Sequence, residues 1–152
     1  EGLSPKENRE IPPLRYDVAA QLKRDFPALE IILNGGIKTL EECQAHLTTF
    51  DGVMLGREAY HNPYLLAQVD SSLFGSNAPV ISRAQALRNM RPYIERHLAE
   101  GGAMHHVTRH VLGLGQGFPG ARRFRQLLSV DIHKTDEPLA LLDQATALLE
   151  GH

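Results

Sequence analysis

The chain has 152 residues, which is enough for one domain with a substantial core or for two small domains. A hydrophobic content of 42% without a long apolar run indicates a soluble protein with no membrane span. The formal net charge is −2, and the single cysteine, Cys43, excludes an internal disulfide and is compatible with a cytoplasmic protein.

The first 26 residues predict an irregular loop followed by a helix. Three prolines within residues 1–15 exclude a regular helix or a central strand there. Lys6 and Arg9 lie three apart in this polar loop, where they are either solvated or in contact with a ligand. Apolar residues recur on one helical face of residues 16–26, which predicts a helix packed on the outside of a sheet.

Residues 30–60 predict two parallel strands joined by a helix. Residues 30–33 and 52–55 are short apolar runs with the pattern of strands buried on both faces. Thr39 and Glu42 have the spacing of a capping box and predict the start of the intervening helix, in which Cys43 would be a buried structural thiol.

Each of these strands ends in a glycine turn, and the two turns have two interpretations. Asn34, Gly35 and Gly36 follow the first strand, and Gly56 and Arg57 follow the second. Either turn alone is most simply a tight turn or a strand exit. Together they favour a phosphate site, because glycines let the backbone approach an anion and Arg57 adds a forked positive charge.

In (β/α)8 barrels, the loops after the last two strands often form such a phosphate site. A complete barrel typically needs about 250 residues, so this chain would hold only part of one. The absence of an initiator Met and of signal-peptide features agrees with a fragment of a longer chain. The enrichment of Ser, Gly, Asn and Pro in residues 70–79 predicts a boundary between domains at 1–75 and 80–152.

From residue 80 onward the pattern predicts an all-α helical bundle. Ser82 caps a long helix that ends near Glu100 and that Pro92 should bend or divide. Further helices are predicted at residues 104–112, 121–129 and 139–149. The second of these would turn Phe124, Leu127 and Leu128 inward. Asn62 and Pro63 resemble the N-cap and first residue of a short helix before this region.

Two motifs in the bundle suggest sites that their surroundings do not support. His106 and His110 lie four apart, but no carboxylate or cysteine accompanies them, so we predict no metal site. The glycine-rich stretch 113–120 does not follow a strand, which excludes a dinucleotide-binding motif or a P-loop.

The charge of the bundle is strongly positive. Residues 80–130 contain eight arginines, no lysine and only two acidic residues, which gives this stretch a formal charge of +6 and the rest of the chain −8. A solvated helical face explains some of these arginines, but the bias favours contact with RNA or DNA. Arg122 and Arg125 are three apart and share a helical face.

Four segments of the chain resemble the A subfamily of the tRNA-dihydrouridine synthases. They are KENREIPPLRYD, ILNGGIKT, DGVMLGREAYHNPYLL and GLGQGFPGARRFR, and the likeness spans nearly the whole chain. The resemblance implies an α/β protein consisting of the last strands of an FMN-bearing (β/α)8 TIM barrel, followed by an all-α helical bundle domain that binds tRNA. It further implies that NADPH, through FMN, reduces the C5–C6 double bond of uridines in the tRNA D-loop.

The resemblance also implies roles for individual residues. The FMN phosphate would be bound by Asn34, Gly35, Gly36, Gly56 and Arg57. The tRNA would be bound by Lys6, Arg9, Arg122 and Arg125. The catalytic cysteine of the family lies in an earlier barrel loop that Cys43 does not match, so we assign no catalytic residue and expect the N-terminal half of the barrel to be missing.

Two alternative functions remain at this point. The chain could belong to a different phosphate- or flavin-binding barrel oxidoreductase, such as a dihydroorotate dehydrogenase-like protein, although this does not explain the arginine-rich bundle. It could also be a stand-alone RNA-binding module in which the strands serve only as scaffold.

Overall fold

A computed structural model describes residues 2, 4–7 and 13–150 of the chain. It is a helix-rich α/β chain in which the described residues form one small sheet. The strands are β1 (Ile32–Asn34) and β2 (Gly52–Met54). The α-helices are α1 (Tyr16–Asp25), α2 (Leu40–Leu47), α3 (Arg57–His61), α4 (Val69–Phe74), α5 (Arg83–Ala99), α6 (His105–Thr108), α7 (Ala121–Ser129) and α8 (Pro138–Leu148). Short 3₁₀ turns span Pro63–Gln68, Leu112–Gly115 and Asp131–His133.

The chain divides into two compact units, Glu1–Gly56 and Arg57–His152. In the first unit β1 and β2 pair in parallel, with Leu33 opposite Val53, and α2 connects them. The predicted β-α-β unit is therefore confirmed. The capping box is confirmed as well, because the Thr39 side chain accepts a hydrogen bond from the Glu42 backbone N–H at 3.1 Å and Glu42 Oε2 accepts one from the Thr39 N–H at 3.1 Å.

The first unit is covered on one side only. Leu33 and Cys43 are buried, but Ile32 is 50% exposed and Met54 is 47% exposed, so the prediction of strands buried on both faces is wrong for this unit. The physical reason is that the described residues supply two strands and no third strand or second helical layer to cover the other face.

The helix α1 shows the same lack of cover. Its predicted apolar face, which includes Val18, Leu22 and Phe26, is about half exposed rather than packed on the sheet. The helix is instead attached to the rest of the unit through an ion pair and a ring contact. The Lys23 ammonium forms an ion pair with Asp51 at 2.7 Å, and the ring of Tyr16 packs edge-on against His46.

The second unit encloses a continuous hydrophobic core. The inward face predicted for α7 is confirmed, since Phe124, Leu127 and Leu128 are almost completely buried. Helix α5 contributes Leu87 and Ile94 to the same core. All regular elements of this unit within the described residues are helical, as the pattern from residue 80 onward predicts.

The helix boundaries agree with the sequence at some ends and differ at others. Ser82 caps α5 as predicted, accepting a hydrogen bond from the Gln85 N–H at 3.1 Å. Pro92 does not divide α5, which runs as one helix from Arg83 to Ala99 with the proline inside it. The helix predicted at 104–112 is shorter than expected, because the chain turns after Thr108 and continues as the Leu112–Gly115 3₁₀ turn.

The division between the compact units lies earlier than the boundary expected from composition. Helices α3 and α4 both contact the 3₁₀ turn between them, and α3 and that turn also contact Leu112–Gly115, which joins residues from Arg57 onward to the helical unit. Gly113 permits this packing, since a Cβ there would lie 2.3 Å from the His61 carbonyl oxygen. The domain limits at 1–75 and 80–152 stay a prediction.

We expect Thr108→Val to lower the free energy of unfolding by about 1–3 kcal/mol. The buried Thr108 hydroxyl donates to the Leu128 carbonyl at 2.9 Å, and Leu128 lies in the last turn of α7, where carbonyls lack partners within the helix. Thr146→Val is the matched control, because the Thr146 hydroxyl donates within its own helix to Leu142, whose carbonyl lies in the interior of α8. Urea denaturation followed by circular dichroism measures both, and equal losses would contradict the role of Thr108.

Candidate functional site

The turn after β1 requires both of its glycines. Gly35 and Gly36 have φ angles of 124° and 71°, in the region that favours glycine. The Tyr16 hydroxyl donates to the Gly35 carbonyl at 2.5 Å, and a Cβ on Gly36 would lie 2.6 Å from Leu14 Cδ1. Tyr16 and Leu14 therefore hold the backbone of this turn in place. The side chain of Asn34, which precedes the turn, is exposed.

The second turn reaches the same edge of the sheet. Asn34 lies opposite Met54 in the parallel register, so the chain leaves both strands at one end. The fold does not demand a glycine at position 56, because its φ is not positive and an added Cβ would meet only Met54 at 3.8 Å. The fold would accept a side chain at this position. Because Gly56 has none, the backbone at the end of β2 is accessible to a ligand.

Arg57 and Lys6 are the two cationic candidates outside the bundle that the structure describes. Arg57 is the first residue of α3, and Lys6 belongs to the segment 4–7. Both are exposed, and neither has an ion pair or a side-chain hydrogen bond among the described residues. Both charges are therefore available to an anion. Arg9, the third candidate, lies outside the described residues.

The structure separates the arginines of residues 80–130 into two groups. Those in the first group are held by partners within the second unit. Arg83 donates to the Leu114 carbonyl at 2.5 Å and lies over the Tyr64 ring, Arg88 pairs with Glu150, Arg91 pairs with Glu95 and Asp143, and Arg123 pairs with Asp131. Three of these partners lie beyond residue 130, so acidic residues outside the arginine-rich stretch neutralise part of its +6 charge.

The second group includes both arginines that the resemblance assigns to tRNA. Arg122 and Arg125 are exposed, and their guanidinium groups have no partner among residues 13–150. They lie on α7, whose opposite face buries Phe124 in the core. Arg96, near the end of α5, is also without a partner in the described chain. The face of α7 that carries Arg122 and Arg125 thus presents uncompensated charge.

The two histidines considered for a metal have different neighbours. His106 contacts the rings of His105 and His97, whereas His110 contacts Tyr60 and Arg109. No group of three or more His, Cys, Asp or Glu residues within the described chain is arranged to hold a metal ion. The link from His110 to Tyr60 spans fifty residues, and no sequence pattern indicated it.

A cluster of four histidine rings joins α5, α6 and the Asp131–His133 turn. The ring centroid of His105 lies 4.3 Å from that of His106 and 4.6 Å from that of His133, and His97 adjoins His106. Desolvation, followed by repulsion from His106, His133 and Arg109, lowers the pKa of His105. The neutral form of His105 is therefore favoured in the folded chain.

Cys43 is the only thiol of the chain and lies in α2. Its side chain is completely buried, and burial raises the pKa of the thiol. A buried thiol with a raised pKa is neither a reactive nucleophile nor an accessible proton donor. The predicted burial of Cys43 is confirmed. Within the described residues, no helix combines the length and the apolar character needed to cross a membrane.

The sequence model of the dihydrouridine synthase family matches residues 2–150. A curated relative named tRNA-dihydrouridine(20/20a) synthase from Pseudomonas putida is 80% identical over 99% of this chain and 45% of its own length. Relatives with the same name from Pseudomonas aeruginosa and Vibrio cholerae are 78% and 57% identical, over 99% and 96% of this chain and 46% and 45% of their own lengths. The chain thus spans less than half of these relatives.

We expect the second unit to lose stability as the pH falls below the ordinary histidine value of 6.5. Because the pKa of His105 is lower in the folded state, the unfolded chain takes up a proton first, so folding is favoured above that pH and disfavoured below it. Thermal unfolding between about pH 7.5 and 5.5 measures the effect. The slope of the unfolding temperature against pH should be smaller in His105→Gln than in the wild type. It should be unchanged in His61→Gln, because His61 lies outside the cluster. Equal slopes in all three proteins would exclude this cause.

Proposed function

The chain belongs to the dihydrouridine synthase family, and from this premise we propose that it is the C-terminal part of a flavin-dependent tRNA-dihydrouridine synthase. The complete enzyme would reduce uridines of the tRNA D-loop to dihydrouridine, with NADPH as the reductant and FMN as the cofactor. The observation that carries the proposal is the family match over residues 2–150. It is combined with the turn at Gly35 and Gly36, which leaves the sheet at the same edge as Gly56. A cytoplasmic location is part of the proposal.

We propose that the first unit contributes the last strands of a (β/α)8 barrel. The parallel β1-α2-β2 arrangement is the repeating unit of that fold. Its bare apolar surface, which includes Ile32, Met54 and Val18, is what further strands and helices of a barrel would cover. The relatives are long enough to contain those elements, since this chain accounts for only 45% of their length. The helices from residue 80 onward would form the tRNA-binding domain.

The FMN phosphate would be held by Asn34, Gly35, Gly36, Gly56 and Arg57. The chemistry of these residues fits a phosphate in three respects. The turn at Gly35 and Gly36 has a fixed backbone, the strand end at Gly56 lacks a side chain, and the Arg57 guanidinium is uncommitted among the described residues. When bound, FMN would supply the hydride chemistry, while these residues would anchor the cofactor by its phosphate.

This chain would not supply the proton donor of the reaction. Cys43 is buried within α2 and has a raised pKa, so the catalytic cysteine would come from the remaining part of the protein. The residues of this chain would bind and position the substrate. The tRNA would be contacted by Lys6, Arg9, Arg122 and Arg125, and the reacting uridine must leave its stack to reach a flavin.

The alternatives considered from the sequence are less well supported. A dihydroorotate dehydrogenase-like protein would not match the dihydrouridine synthase family over nearly the whole chain. A stand-alone RNA-binding module would not need a turn in which two successive glycines both have positive φ angles.

We expect Arg122→Ala combined with Arg125→Ala to weaken tRNA binding by the 152-residue chain. The loss of two phosphate contacts should reduce the dependence of log affinity on log salt concentration by about 1.5–2. Fluorescence anisotropy with labelled tRNA at several salt concentrations measures this. Arg123→Ala is the matched control on the same helix, because Arg123 is already paired with Asp131 at 2.8 Å. Binding by the double variant that equals wild type would exclude the assignment.

We expect Gly36→Ala to remove most of the flavin from the full-length protein. Gly75→Ala is the control, since Gly75 has a similar φ of 66° but lies in open space outside the proposed site. Both substitutions strain the backbone, and only Gly36→Ala should disturb the phosphate turn. The visible absorbance of flavin per protein in the purified variants is the measurement. Equal flavin contents in the two variants, or an undiminished content in Arg57→Ala, would count against the site.

A further inference from the structure

We propose that Tyr60, His110 and Arg109 form a phosphate-contacting site that binds the tRNA backbone, in addition to the arginines of α7. The inference rests on the proposed function, because it takes tRNA as the source of the phosphate. The site lies wholly within the second unit and consists of Tyr60 on α3 and of Arg109 and His110, which directly follow α6.

The packing of the Leu112–Gly115 turn on the end of α3 brings these residues together. Gly113 lies against the end of α3 so closely that any side chain would collide with the His61 carbonyl. This approach places His110 beside Tyr60, with their ring centroids 6.0 Å apart. Tyr60 also packs edge-on against the ring of His61 at 5.7 Å. The position of Tyr60 is therefore set by the fold, although its side chain remains 55% exposed.

The hydrogen bonds of His110 determine where the protons lie. Arg109 Nε is 3.0 Å from His110 Nε2, and a guanidinium can only donate, so Nε2 is the acceptor and carries no proton. The neutral imidazole then carries its proton on Nδ1, which donates to the Tyr60 hydroxyl oxygen at 2.9 Å. Since that oxygen accepts from His110, the hydroxyl hydrogen of Tyr60 is left to donate to a ligand.

The exposed groups of this cluster are donors only. Arg109 is exposed, and the N–H groups of its guanidinium other than Nε–H have no partner among the described residues. No carboxylate within the described chain pairs with Arg109, in contrast to Arg88, Arg91 and Arg123. A hydroxyl donor beside a forked cation suits an acceptor-only anion, and a phosphate diester is such a ligand.

The helix α3 connects this cluster to the proposed cofactor site. Arg57 and Tyr60 are three residues apart on α3 and therefore lie on neighbouring positions of one helical face. Arg57 is one of the residues proposed to bind the FMN phosphate. A tRNA phosphate at Tyr60 would thus lie about one helical turn from that residue, near the place where a uridine must be delivered.

The test compares two variants with matched controls in the 152-residue chain. Tyr60→Phe removes only the hydroxyl and should weaken tRNA binding roughly 3- to 10-fold. Arg109→Ala should reduce the salt dependence of log affinity by about 1. Tyr93→Phe and Arg88→Ala are the controls, because Tyr93 is equally exposed without a hydrogen bond in the described chain and Arg88 is paired with Glu150. Both controls should bind as wild type does.

A double variant and a competitor complete the experiment. Tyr60→Phe with Arg109→Ala should weaken binding by less than the product of the two single effects, because Arg109 fixes the tautomer that orients the Tyr60 hydroxyl. Inorganic phosphate should compete only weakly, since a single free anion lacks the other contacts of tRNA. Competition by inorganic phosphate at concentrations well below those that screen charge would identify a small-anion site and overturn the RNA assignment.

The outcomes distinguish this inference from the proposed function. If the α7 double variant weakens tRNA binding while Tyr60→Phe and Arg109→Ala bind as wild type, the inference fails and the proposed function stands. If Tyr60→Phe lowers the unfolding midpoint without changing tRNA affinity, the cluster is only a structural link between α3 and α6, and the inference also fails. A wild-type chain with no affinity for tRNA would overturn the RNA-binding part of the proposed function and the inference together.

Discussion

The parallel register of β1 and β2 is the constraint on which the proposed cofactor site depends. Because Asn34 lies opposite Met54, the chain leaves both strands at the same edge, and residues on both turns can contact one ligand. A shift of the register by one residue would move Leu33 from the buried to the exposed face and separate the two turns. The burial of Leu33 in β1 and of Cys43 in α2 therefore fixes the position of the glycine turn and also stabilises the unit.

In the second unit, the folding of the chain determines which arginines are available. Arg122 and Arg123 are neighbours in sequence, but successive residues of a helix point about 100° apart. Arg123 consequently reaches Asp131 in the turn that follows α7, whereas Arg122 reaches no carboxylate within the described residues. An exposed ion pair contributes little to stability, so the main effect of Asp131 is to remove Arg123 from the charge that the surface presents. The positive surface of α7 is thus narrower than the composition suggests.

Much of the local structure could be predicted, because it depends on residues close together in sequence. The capping box at Thr39, the cap at Ser82 and the buried face of α7 each involve positions within one or two helical turns. The exposure of Ile32 could not be predicted, since it depends on strands that the described residues do not contain. The pairing of Tyr60 with His110 was missed for a related reason. It depends on a turn fifty residues away whose only local sign is a glycine.

The proposed enzyme must bring a base of a large RNA to a cofactor that is held by its phosphate. Sites on helices are positioned more accurately than sites on loops, and α3 is short, begins at Arg57 and carries Tyr60 one turn later. If both residues bind phosphates, the distance between the cofactor phosphate and one tRNA phosphate is set by a single helical turn and does not depend on how the rest of the bundle moves. Gly113 then has a functional consequence, because its close contact with His61 is what holds His110 and Arg109 against that turn.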